Sequence, residues 1–97
     1  MRIRYTRRAA ADLEAIADYL TARNPPAALK VRDAILESLR HLALFPGIGR
    51  RQSVEGVRKL NVRRYPYLIF YMVDEAADEL TILTFRHAAR EQDYWDL

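Results

Sequence analysis

The sequence predicts an α+β domain of two layers, a helical hairpin laid on one face of an antiparallel sheet, in the order β-α-α-β-β-β. Three observations carry that prediction. Two apolar stripes at helical spacing follow one another in the first half of the chain, separated only by Asn24-Pro25-Pro26. Two runs of aromatic and β-branched residues, 65–73 and 80–85, flank a short acidic turn in the second half. Between the halves, Phe45-Pro46-Gly47-Ile48-Gly49 interrupts any regular pattern. A chain of 97 residues has room for one such domain, taken as residues 1–97.

Arg2-Ile3-Arg4-Tyr5 alternates charged with apolar or aromatic groups, as a short strand with one half-buried face does. Thr6 offers a hydroxyl N-cap, and residues 7 to about 22 carry Leu13, Ile16, Ala17 and Leu20 down one side of a helix. Asp12, Glu14 and Asp18 fill the rest of its surface, either as a solvated face or as the flank of a groove offered to a partner. Asn24 caps a second helix, whose first turn tolerates Pro25 and Pro26 because their missing N–H groups would have no partner there. Ala28, Val31, Ile35, Leu39 and Leu42 stripe that helix to about Leu44, beside Leu36 and Ala43. So short a connection predicts an antiparallel hairpin.

Residues 57–62 read as the second strand, with Leu60 and Val62 on one face and Lys59, Asn61 and Arg63 on the other. Residues 65–73 are apolar on both faces, as a central strand requires, and 80–85 return antiparallel to them. Phe70 is expected in the core. Tyr67 and Tyr71 share a face and are either core or stacking platforms. From residue 88 onward the chain is polar, a tail or short helix, with Tyr94 and Trp95 either folding back or awaiting a partner.

Net charge is only +3, but the cations are unevenly placed. Arg2, Arg4, Arg7 and Arg8 crowd the start, and Arg50, Arg51, Arg58, Lys59, Arg63 and Arg64 crowd the middle with Glu55 as the nearby acid. All but Lys30 and Lys59 are arginines, whose planar fork suits phosphate and carboxylate groups. A polyanion or an acidic partner fits such a surface better than a small neutral metabolite does; a solvated basic face is the plainer alternative. The absence of cysteine excludes disulfides and thiolate metal sites, and no cofactor or metal is expected. The charged start shows no signal peptide, and no apolar run approaches the ~18 residues of a membrane helix. The expectation is a cytoplasmic protein with no membrane partner.

Four features together resemble the RelE/ParE superfamily of bacterial type II toxin–antitoxin toxins over nearly the whole chain. They are an opening strand running into Thr6, Ala9 and Asp12-Leu13; Asn24-Pro25 at the start of helix two; the Phe45-Pro46-Gly47-Ile48-Gly49-Arg50 turn; and Tyr67-Leu68-Ile69-Phe70-Tyr71-Met72-Val73 followed by Ile82-Leu83 and His87-Ala88-Ala89-Arg90. The resemblance implies a partner, a cognate ParD- or RelB-like antitoxin in a hetero-oligomer. It also implies one of two activities. ParE-like members poison DNA gyrase, whereas RelE-like members are ribosome-dependent mRNA endoribonucleases.

Metal-free RNA cleavage needs a base for the 2′-OH, cations for the phosphate and an acid for the leaving oxygen. If the chain is RelE-like, Arg86, His87, Tyr94 and Lys59 are the catalytic candidates. Arg58, Lys59, Arg63, Arg64 and Arg90 are the candidates for binding target or antitoxin. The thin lysine content and the ending His87-Ala88-Ala89-Arg90 favour the ParE-like reading, in which His87 is a structural or antitoxin-contacting group. His41 is expected on the surface of the second helix.

Overall fold

Asn24 ends one helix and starts the next. In the computed structural model, which describes residues 1–89, its N–H donates to the Leu20 carbonyl (2.7 Å) and its Oδ1 accepts from the Ala27 N–H (3.2 Å). Helices α1 (Arg7–Arg23) and α2 (Pro25–Leu44) therefore meet with no further linking residue. Thr6 caps the other end of α1: its hydroxyl accepts from the Ala9 N–H (3.0 Å) and donates to the Leu83 carbonyl (2.7 Å). One side chain thus both starts the helix and ties it to the sheet.

The strands are β1 (Arg2–Tyr5), β2 (Arg50–Arg51), β3 (Val57–Asn61), β4 (Tyr67–Asp74) and β5 (Glu79–His87). They form one sheet in the order β1-β5-β4-β3-β2. From β5 to β2 every pair is antiparallel, as expected. The edge differs: β1 lies parallel to β5, with Ile3 opposite Leu80, so the sheet is mixed. Alternation marks which face a strand buries but carries no sign of its direction; the direction here follows from Thr6, whose N–H extends the ladder to the Ile82 carbonyl (3.0 Å). The two-residue β2 also escaped the sequence, because Arg50-Arg51 has neither β propensity nor length.

Both helices cover one face of the sheet. Val31, Ile35, Leu39 and Leu42 of α2 pack with Val62, Ile69, Tyr71, Leu80, Ile82 and Phe85, and Leu13, Ile16 and Leu20 of α1 join them. Asp12 departs from the solvated acidic face predicted for α1. It accepts hydrogen bonds from the Thr84 hydroxyl and from the Phe85 N–H (3.2 Å), where a bulge leaves Leu83 as the extra residue opposite Phe70 and Tyr71. On the opposite face Val57, Leu68 and Phe70 form a second buried cluster with Leu83. Among the described residues no helix is long and apolar enough to cross a membrane.

Candidate functional site

The loop after α2 is fastened to the sheet by two side chains. Tyr71, fully buried on β4, accepts from the Gly49 N–H (2.8 Å) and donates to the Pro46 carbonyl (2.7 Å). Beside it in register, Arg58 donates to the carbonyls of Gly49 (2.8 Å) and Gly47 (3.3 Å). Gly49 is required by closeness: a Cβ there would fall 2.7 Å from Tyr71 Cε1 and nearer still to its hydroxyl. Burial raises the Tyr71 pKa above the usual tyrosine value, with the Gly49 hydrogen bond and the Arg58 charge pulling the other way. Tyr71 is thus core, one of the two readings the sequence left open for it.

This fastening lays β2 along β3, with Arg50 opposite Lys59 and Arg51 opposite Arg58. Four cations stand in two facing pairs at a sheet edge, an arrangement that weakens the pairing itself. Arg50 and Arg51 escaped the candidate list because no periodicity marks so short a strand. Arg63 and Arg64 stand exposed in the β3–β4 connection, where Arg64 adopts a left-handed φ of 75°. Of the predicted binding set, Arg63 and Arg64 are exposed, Lys59 is half-buried on β3, Arg58 holds the loop, and Arg90 lies outside the described residues. Glu55 lies exposed in the turn between β2 and β3.

The predicted catalytic set divides across the sheet. Lys59 pairs with Phe70 and Arg86 with Leu68, so both belong to the face away from the helices. His87 belongs to the other face. Its ring meets Tyr67 edge-on (centroids 5.5 Å apart, 84° between planes), and Tyr67 packs against the helix-side core. His87 Nδ1 accepts from the Ala89 N–H (3.2 Å). Burial raises the Tyr67 pKa, and repulsion from an ionised Tyr19 on α1 adds to it. Tyr19 in turn carries the Arg23 guanidinium 3.7 Å above its ring, at the i, i+4 spacing that brings helix side chains together. Tyr94 and Trp95 lie outside the described residues.

Two concavities flank α2. The first, about 510 Å³, is an apolar groove between the helices, lined by Leu13, Ile16, Ala17 and Leu20 of α1 and by Ala28, Val31, Ile35 and Leu36 of α2. Tyr5, Glu14 and Arg32 also line it. Leu36 is 41% exposed there, and Leu29 on the same helix is 57% exposed. The second, about 600 Å³, lies between α2 and the β3–β4 connection and mixes cations, carboxylates and apolar groups. His41 lines it from the exposed surface of α2, 3.9 Å from Glu37.

Comparison with known proteins agrees with this architecture. Residues 3–92 match the family described as the ParE toxin of the type II toxin–antitoxin system parDE. Y4kP of Sinorhizobium fredii, a protein assigned as a toxin, is 33% identical over 90 residues, which cover 93% of this chain and 91% of that one. A chain in the solved chromosomal ParDE toxin–antitoxin system of P. aeruginosa is 36% identical with a TM-score of 0.76, covering 90% of this chain and 95% of its own. The isolated RelE toxin of E. coli superposes with a TM-score of 0.71 over 98% of this chain and 92% of its own. At 15% identity it shares the fold alone.

Proposed function

This chain belongs to the ParE toxin family of type II toxin–antitoxin systems, and we propose that it arrests growth by docking on DNA gyrase, without chemistry of its own, until a cognate ParD-like antitoxin neutralises it. Among the described candidates His87 stands on the opposite face from Lys59 and Arg86, and that division supports the non-enzymatic reading. A general base and the cations that steady a phosphate must reach the same few ångströms, and strand alternation keeps His87 from doing so with these two cations. The docking surface is the edge formed by Arg50, Arg51 and Lys59, continued by Arg63 and Arg64. Arg58 holds the loop that shapes it.

The antitoxin takes the groove between the helices. An amphipathic helix with a few large apolar anchors fits an apolar trough of that size, and Leu36 offers it exposed surface. The complex is accordingly a hetero-oligomer.

Pulse-labelling after induction of the chain tests the target. DNA synthesis is expected to fall in the first minutes while protein synthesis continues. Early loss of protein synthesis would instead favour a ribosome-dependent ribonuclease, the second reading, for which Lys59 and Arg86 on one face are the supporting observation. Unchanged growth with folded protein present would sink both.

A further inference from the structure

The cleft between α2 and β3 owes its existence to the shortness of β2. That strand pairs only with Lys59 and Arg58, so among the described residues the outer edge of β3 from Leu60 onward has no strand neighbour and opens into about 600 Å³. Along α2 its wall runs from Lys30 to His41, about 16 Å at helical rise. The volume falls within the range of small-molecule sites.

We propose that this cleft binds a nucleoside di- or triphosphate. The inference goes beyond the reading above and does not depend on it. Lys30 lines the cleft from α2, and Arg63 and Arg64 line it from the β3–β4 connection, three cations of the kind that suit a phosphate chain. A bare polyanion is disfavoured, because Asp33 and Glu37 line the same wall. Carboxylates accept hydrogen bonds from sugar hydroxyls, so they discriminate for a phosphorylated sugar against phosphate alone. Leu60, Ile48 and the Tyr65 ring supply apolar surface on which a base can lie.

Arg64 gives a second pointer. An arginine stands at φ 75°, a backbone conformation that favours glycine. Strained residues of this kind concentrate at ligand clamps. Loop bonds from the Val62 N–H to the Tyr67 carbonyl (2.9 Å) and from the Tyr67 N–H to the Tyr65 carbonyl (2.8 Å) hold that conformation.

Titration of the purified chain with ADP, followed by backbone NMR, tests the site. The expected result is saturable shifts at Lys30–His41 and at 60–65, with affinity lowered about tenfold in Lys30→Gln and again in Arg64→Gly. The glycine variant relieves the backbone strain, so lost binding there does not report lost folding. Absence of shifts up to about 5 mM ADP, a very weak limit, would overturn the proposal. So would equal affinity for inorganic tripolyphosphate, which would leave only a basic patch. Tighter binding of single-stranded DNA across the same residues would overturn it too, in favour of a nucleic-acid groove.

Discussion

The helical groove and the β2–β3 edge are both candidate docking surfaces, and they are built on opposite principles. The groove is apolar, and its Leu13, Ile16 and Leu20 also pack against the core. A partner there gains by removing apolar surface from water, which salt hardly affects. The edge gathers Arg50, Arg51, Arg58 and Lys59 into facing pairs that repel one another. A partner there gains by relieving repulsion, and the gain shrinks as salt screens it. One chain can therefore hold two macromolecules by mechanisms that respond to different solution conditions.

The largest expected effect breaks the groove. Leu36→Asp places a carboxylate on the wall of the apolar trough, where an apolar anchor of the partner would have to desolvate it. Affinity for the antitoxin should fall by about 2 kcal/mol or more, read by titration calorimetry and by loss of neutralisation in cells. Thermal stability should barely move, since Leu36 is already exposed. Unchanged affinity would exclude the groove as the antitoxin site.

Next comes the joint between the two surfaces. Gly49→Ala drives a Cβ into the Tyr71 ring and should cost about 1–3 kcal/mol in denaturant unfolding. Tyr71→Phe removes both loop hydrogen bonds, an expected loss of about 1–3 kcal/mol at neutral pH. It also has a pH signature. Burial raises the Tyr71 pKa in the folded state, so its contribution is fully present below the unfolded value of 10.0 and is lost as pH rises through the folded one. The wild-type stability curve should thus fall more steeply above pH 10.0 than that of Tyr71→Phe. Parallel curves would show that Tyr71 ionises as freely folded as unfolded.

What the sequence revealed of these regions follows from the range of the forces involved. The groove was legible as two apolar stripes because helical periodicity is a local signal, although which leucines remained exposed depended on how the helices settled on the sheet. The edge was half legible. Its cations were countable, but Arg50-Arg51 became a strand only because Tyr71 and Arg58 fasten the preceding loop from 22 and 9 residues away. The parallel placement of β1 was hidden for the same reason, since its neighbour β5 lies at the other end of the described chain. The division of His87 from Arg86 is simple strand alternation, yet it carried meaning only once register put Tyr67 opposite His87 and Lys59 opposite Phe70.

The smallest expected effect sharpens the comparison from the basic side. Replacing Arg50 and Arg51 by Gln removes two like-charge contacts, so folding stability should stay level or rise by about 0.2–1 kcal/mol. A functional surface that weakens its own fold is the pattern expected where charge is kept for a partner. Cations on an edge strand also discourage pairing with other chains, so aggregation of the variant has to be watched by light scattering. Affinity for gyrase, measured with the purified chain at several salt concentrations, discriminates between these roles. If the edge docks the target, the double variant binds more weakly at low salt, and its affinity falls less steeply as salt is raised. If the arginines only guard the edge, the salt dependence is unchanged while the variant self-associates. The groove variant Leu36→Asp is the internal control: it should leave that salt dependence as it was, because the groove and the edge answer to different forces.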